Sequence, residues 1–361
     1  MAGGVLLAAC EQGVSGGNSS SPAVARPLTA TRTSIDCATH GQLLGSGSTA
    51  QEIPMTLWRK NYTWACPGVE IAYRPVGSVA GLAQFLREAN AFGGSDSPLK
   101  PEDVARSRQI CESGHGIDLP MLGGPIAIGY NLPGVDGLVL DAPTLARIFD
   151  AKITRWNDPA IRKLNPQTSL PSTAITTFHR QDSSGTTQNL NRYLAAAAPG
   201  DWPYPDETTW QGNGSQSAQG PDGIAAQVKA ISGAIGYFGL PVAVADGIKT
   251  VSIATGASRP VPATPQTAAK GIAAATVAGT GKDLALKLGY GTKAEGAYPI
   301  VLVTYEIVCD RGNAPGTLPL LKSFLAYTAS KGGQRLLADA HYAPLPPAIA
   351  AKVRRIIPTL S

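Results

Sequence analysis

Two apolar runs constrain this chain more than any other feature. Pro125 to Asn131 (PIAIGYN) is bounded by Gly123-Gly124 and Pro133, and Pro299 to Val308 (PIVLVTYEIV) stands near the other end. Short apolar runs bounded by turn residues read as buried strands. Both fall well short of the ~20 apolar residues that span a bilayer. Two extended segments bracketing a long middle section imply that the chain crosses from one lobe to a second and back. The first lobe is then discontinuous, and a cleft lies between the two. A length of 361 residues suits that arrangement, being too long for one compact core and sufficient for two lobes. The expected division is a leading segment 1–36, a first lobe of 37–125 with 304–361, and a second lobe of 126–303. No internal repeat of a solenoid period is present.

Within the lobes the pattern is strand, loop, helix, repeated. A strand over Ala38–Ser46 precedes a helix over Thr49–Ala65 with Leu57, Trp58 and Tyr62 on one face, and Pro54 must occupy its first turn or bend it. Val69–Tyr73 is strand-like and leads through Gly77-Ser78 into a helix over Val79–Asn90. Further helical patterns cover Ala142–Phe149, Ser184–Ala198, Gly223–Ile231, Leu318–Ser330 and Gly333–Ala340. The fold class is therefore α/β, with a largely parallel sheet and its loops at one edge.

Charge and composition exclude several functions. Lys plus Arg exceed Asp plus Glu by 30 − 25 = 5, without a dense basic run, which argues against nucleic acid as a partner and remains compatible with a small anion. Charged residues are 15% and hydrophobic residues 43%, so the chain can build a core and is not disordered. The 41 glycines and 29 prolines imply many loops in which bare backbone can approach a ligand. Neither C-x-x-C nor H-E-x-x-H occurs, and no metal or other cofactor is expected.

The first ten residues, MAGGVLLAAC, end on Leu7-Ala8-Ala9-Cys10, which resembles a bacterial lipobox. A basic first region and a longer apolar segment are missing, so an export signal here is truncated or its start misassigned. Glu11–Arg32, rich in Gly, Ser, Pro, Ala and Thr, suits a flexible tether. Lipidation of Cys10 would hold a soluble domain at a membrane surface. Four cysteines then remain, and an even number outside the cytoplasm favours two disulfides. Cys37 and Cys66 stand at the start of the first strand and the end of the first helix, which a strand-turn-helix hairpin brings to one edge. Cys37 is expected to pair with Cys66, leaving Cys111 for Cys309.

Three Gly/Ser/Thr loops stand directly before helices: Gly45-Ser46-Gly47-Ser48-Thr49, Gly77-Ser78, and Asp182-Ser183-Ser184-Gly185-Thr186-Thr187. Helix starts present unpaired amides and the positive end of the dipole, and small hydroxyl residues donate without blocking close approach. Taken singly, each is an ordinary helix cap; together they could wrap a tetrahedral anion. Arg180, just before the third loop, can take two anion oxygens at once. Asp182 is explained as a helix cap or as the partner that orients Arg180. Asp96 carries a sharper implication, because a carboxylate accepts a hydrogen bond only from an anion that still bears a proton. Phosphate has such protons at neutral pH and sulfate has none, so Asp96 would select between them. Other pattern matches carry nothing: Gly13-Val14-Ser15-Gly16-Gly17 lies in the tether, and Ala278–Asp283 lacks the first glycine and Ser/Thr of a P-loop.

In these residues the chain resembles the PstS-type phosphate-binding proteins of bacterial ABC importers, within the periplasmic-binding-protein superfamily. The resemblance extends from about residue 37 to the end. It rests on Gly45–Thr49, Gly77-Ser78, Gly94–Leu99, Asn131–Val135, Ile153–Pro159, Leu164–Pro166, His179–Thr186, Gly233–Tyr237 and Tyr342–Pro346, in that order. It implies a two-lobed type II fold with a hinge of two crossover strands and a cleft. It also implies a non-catalytic, extracytoplasmic lipoprotein that binds inorganic phosphate and delivers it to a membrane permease, acting as a monomer. The implied ligands are the Thr49 hydroxyl, the Ala50 amide, Ser78, Asp96 as acceptor of the phosphate proton, Arg180, Ser184, Gly185 and Thr186, with Asp182 bracing Arg180. Ala50 stands where relatives often carry Phe, Val79-Ala80 replaces a usual small pair, and Ser183 replaces a common glycine; none of these removes a donor. A sulfate or molybdate binder would leave Asp96 unexplained. A phosphatase with Ser184 or Asp182 as nucleophile would need a placed general acid or a metal cluster.

Overall fold

The first strand and helix both form, but the strand starts at Gly41 rather than Ala38, and the first three residues of the expected helix are a 3-10 turn. The computed structural model describes Met1 and residues 35–361; Cys10 and the Glu11–Arg32 tether lie outside the described residues. Strand β1 (Gly41–Gly47) passes through a single 3-10 turn at Thr49–Gln51 into helix α1 (Glu52–Ala65). Pro54 falls in the first turn of α1, where a missing N–H costs no intrahelical bond. The buried face of α1 is Met55, Trp58 and Tyr62, at the spacing of a core-facing stripe. Tyr62 meets Phe324 edge-on at 5.5 Å, on the helix Leu318–Thr328.

Strand β2 (Val69–Arg74) leads into helix α2 (Ser78–Phe85), and strand β3 (Phe92–Ser95) follows. Helix α2 stops short of the expected Asn90. Glu88 adopts a left-handed φ of 56°, which turns the chain back so that the Ala91 amide donates to the Leu44 carbonyl and β3 can begin. Strand β4 (Gly116–Tyr130) is buried along all 15 residues and is twice the length of the apolar run that announced it. Gly123-Gly124, read from the sequence as its boundary, lies inside the strand. A Cβ on Gly123 would stand 2.1 Å from Ile272 Cδ1, so this glycine serves close packing rather than a turn.

The remaining strands of the main sheet are β5 (Thr176–Arg180), β6 (Gln216–Ala218), β7 (Ala234–Gly239), β8 (Lys249–Thr250) and β9 (Val301–Cys309). Helix α3 (Gly185–Ala197) follows β5, and helix α4 (Gly220–Ala230) follows β6. The order is β2-β1-β3-β9-β4-β7-β5-β6, with β8 also on β4. One end is parallel (β1 with β2 and β3), as is the other (β5 with β6 and β7). The sheet is nonetheless mixed, because β4 and β9 run antiparallel to each other and to their neighbours. That follows from their job: one carries the chain out and the other brings it back. Residues 116–125 of β4 pair with β9, whereas 126–130 pair with β7, so a single strand belongs to both ends of the sheet.

Cys37 is bonded to Cys66, and Cys111 to Cys309. The second bridge closes a loop of 198 residues. Closing a loop of that size restricts the unfolded chain strongly and contributes about 2–5 kcal/mol. Cys111→Ser with Cys309→Ser should therefore lower the free energy of unfolding by about that amount. Urea titrations of the variant and the parent, followed by circular dichroism, check this; equal midpoints would assign the bridge no stabilising role.

Candidate functional site

The C-terminal ends of β1, β2 and β3 are drawn together by backbone contacts that only glycine permits. At Gly47 φ is +152°, and a Cβ there would lie 2.0 Å from the Gly94 carbonyl oxygen. The Gly77 amide donates to the Gly47 carbonyl at 2.8 Å, and the Ser48 amide to the Gly94 carbonyl at 2.9 Å. Three consecutive βα connections thus bring Thr49, Ser78 and Asp96 to one spot beyond the strand ends, where open α/β sheets bind ligands.

From the other end of the sheet, β5 finishes on Arg180, and α3 begins four residues beyond Asp182's predecessor in the same loop, at Gly185. The Ser184 hydroxyl caps α3, accepting from the Thr186 amide at 3.1 Å and the Thr187 amide at 3.5 Å. Ser184 is therefore the cap, and Asp182 is not. Asp182 accepts from Arg180 Nε at 2.7 Å, from Arg180 Nη2, and from the Gly220 amide at 3.0 Å. Burial raises the Asp182 carboxyl, but its bonds with Arg180 outweigh that and hold it below the ordinary carboxylate range.

The two groups of residues meet. A Cβ on Gly185 would lie 2.5 Å from Asp96 Cβ and 2.8 Å from Ser78 Oγ, so the first residue of α3 packs directly on both. Arg180 Nη2 reaches Thr49 Oγ1 at 3.4 Å. Asp96 and Arg180 are each 3% exposed. Burial pushes the Asp96 carboxyl up to about 6, against the opposing effects of the Ser48 hydroxyl, the Arg180 charge and the Thr186 and Ser78 hydroxyls. The Ser78 hydroxyl also accepts from the Asp96 amide at 3.2 Å. The Ala50 amide donates to Ser48 Oγ at 3.0 Å, within the turn that starts the α1 connection. A cavity of about 360 Å³ adjoins this cluster, with Thr49, Ala50, Thr186 and Tyr342 in its wall and Glu52 and Asp222 at its sides.

All eight ligand residues expected from the sequence lie at this junction. Ser48 was inside the first loop motif, yet its bond to Asp96 spans 48 residues of sequence and has no local signature. Tyr237 was also missed: its hydroxyl meets Thr187 Oγ1 at 2.6 Å and accepts from the Arg180 amide at 3.2 Å, fixing β5 beside α3. The chemistry of the cluster is that of an oxyanion receptor with one guanidinium, several hydroxyls, a helix start and a single carboxylate acceptor.

A family model described as the PBP superfamily domain matches residues 32–331. Phosphate-binding protein PstS 3 of Mycobacterium leprae is 38% identical over 357 residues, covering 98% of this chain and 95% of the relative. This chain belongs to the PstS family. A second PstS relative, phosphate-binding protein PstS 2 of Mycobacterium tuberculosis, is 39% identical over 365 residues, covering 100% of this chain and 96% of the relative. Among solved structures, the periplasmic phosphate-binding protein PfluDING bound with phosphate superposes with a TM-score of 0.70 at 21% identity, covering 87% of this chain and 93% of that one. An ABC-type phosphate transport receptor from Vibrio cholerae gives 0.54 at 16% identity, covering 84% and 100%. These likenesses establish the two-lobed periplasmic-binding-protein fold for this PstS family member.

The Asp96 titration has a definite sign. Its carboxyl pKa in the folded chain is raised to about 6 from an ordinary 3.8, so between these values the folded state binds more protons than the unfolded state. Its contribution to stability therefore rises as pH falls from about 6 toward 4 and is lost as pH rises back through about 6. Denaturant titrations across that range should show this slope in the parent and its removal in Asp96→Asn; identical pH profiles for the two would place the Asp96 pKa elsewhere.

Proposed function

We propose that this chain binds inorganic phosphate in the cleft between its lobes and passes it to the membrane permease of an ABC importer, without catalysis. The observation that carries this reading is the buried Asp96 carboxylate set among donors from both ends of the sheet. In the bound state Thr49 and Ser78 give hydroxyls, Ser78 gives its amide, Ala50 gives its amide by exchanging the bond to Ser48 Oγ for one to phosphate, and Arg180 takes two phosphate oxygens. Ser184, Gly185 and Thr186 contribute from the start of α3, and Asp182 holds the guanidinium in plane. Asp96 accepts a hydrogen bond from the phosphate proton; sulfate offers no such proton and meets the carboxylate as a like charge.

Ligands drawn from residues 37–125 and from residues 126–303 mean that full coordination needs the lobes closed, with β4 and β9 as the hinge. One copy of the chain carries every ligand, which supports action as a monomer. The two disulfides support an extracytoplasmic location. Lipidation at Cys10 would keep the protein near its permease, and neither nucleic acid nor a cofactor has a part in this reading.

Isothermal titration with phosphate and sulfate tests the site. Arg180→Ala should weaken phosphate binding by about 10²-fold or more, because a charge-assisted pair is lost and Asp182 is left without its partner. Asp96→Asn should narrow the preference for phosphate over sulfate by on the order of 10²-fold or more. In the parent, sulfate affinity should rise as pH falls through about 6, where Asp96 becomes protonated and can donate, while Asp96→Asn should show no such rise. Unchanged phosphate affinity in both variants would sink the assignment. Gly185→Ala, whose new Cβ would press on Asp96 and Ser78, should weaken phosphate by about tenfold or more if closure brings these groups together.

A further inference from the structure

Helix α3 carries a second row of contacts beyond its capped start. Asn189 lies one turn after Gly185 and is 1% exposed. Its Nδ2 donates to the Gly185 carbonyl at 2.8 Å and to the Asp96 carbonyl at 2.8 Å, and its Oδ1 accepts from the Tyr290 hydroxyl. Two carbonyl acceptors on one side and a hydroxyl donor on the other fix the orientation of the amide. One turn further, Arg192 Nη1 donates to Ser97 Oγ at 3.2 Å, while its Nε donates to Asp206 Oδ2 at 2.7 Å. Gly185, Asn189 and Arg192 share one helical face, at i, i+4 and i+7, and all three meet the Asp96-Ser97 segment.

We propose that Asn189, supported by Tyr290 and Arg192, is a positioning residue that latches the lobes in the closed state. The inference rests on the phosphate-binding reading above. Asn189 bonds the backbone of Asp96 rather than its carboxylate, so it sets the distance between the anion selector and the helix that supplies the donors without taking part in the choice of anion. A bond between a residue that follows β3 and one on α3 exists only while those segments are together. Its loss therefore speeds release, whereas the bonds to the Gly185 carbonyl and the Tyr290 hydroxyl lie within residues 126–303 and do not depend on closure. The Tyr290 hydroxyl holds the amide in the one orientation that offers both hydrogens to carbonyls. An aspartate in place of Asn189 presents acceptors to acceptors.

Stopped-flow and titration measurements with inorganic phosphate on the full chain test the latch. Asn189→Ala should raise the phosphate Kd by about tenfold, almost entirely through a faster off-rate, with the phosphate-to-sulfate ratio unchanged. Asn189→Asp should weaken binding further. Tyr290→Phe and Arg192→Met should show smaller increases of the same off-rate, and they carry the test if the Asn189 variants do not fold. A parent protein that fails to bind phosphate overturns the functional reading and the latch with it. A parent that binds, alongside variants that match it in Kd and off-rate, overturns the latch alone. So does a phosphate-to-sulfate ratio that shifts along with the affinity, since the latch acts through the backbone of Asp96 and not on the choice of anion.

Discussion

A carboxylate removed from water is the condition around which this molecule is arranged. Burying an ion costs several kcal/mol unless its lone pairs are met, and Asp96 is met from several directions at once. Ser48 reaches it from the turn after β1, Ser78 from the start of α2, and Thr186 and Arg180 from the far side. None of these groups is close to Asp96 in sequence. Their convergence requires the ends of three parallel strands to crowd together, and Gly47 with its φ of +152° is what lets β1 pass β3 closely enough. Even so, burial prevails, and the group sits near the boundary between charged and neutral. A residue so poised is suited to share a proton with a ligand.

Arg180 balances that charge without being consumed by it. Its Nε and Nη2 are tied to Asp182, which is itself held by the Gly220 amide at the start of α4. The guanidinium is thus fixed in plane by a carboxylate of its own chain, through bonds that need no ligand. Preorganisation of this kind lowers the entropy lost on binding. Tyr237 performs the same service for the backbone, linking the Arg180 amide to the first turn of α3 through Thr187.

Much of this was legible in the sequence. The apolar runs gave the crossing strands, the alternation of strand and helix gave the α/β class, and the helix Ala142–Phe149 falls where its periodicity placed it. The loop residues before helices and the isolated Arg180 pointed to the site, because capping and anion chemistry leave local marks. What was not legible depends on distance in sequence. Nothing near Asn189 announces that its amide meets the Asp96 carbonyl. Nothing near Gly123 distinguishes a glycine that ends a strand from one that yields to Ile272 within it. The expectation of a largely parallel sheet failed for a related reason: the direction of β4 and β9 follows from the route of the whole chain, which no local pattern records.

The pairing of β4 with β9 also has a mechanical consequence. Cys309 stands opposite Gly116 at one end of the ribbon and Val301 opposite Pro125 at the other, while Cys309 is bolted to Cys111. The bridge ties the end of β9 to the segment that leads into β4, five residues before that strand begins. β4 changes partner between residues 125 and 126, so flexing of this ribbon at that point would turn one end of the sheet against the other. If the cleft closes on phosphate as proposed, that bend contains none of the proposed donors, and a substitution there would alter closure while leaving the recognition chemistry itself unchanged.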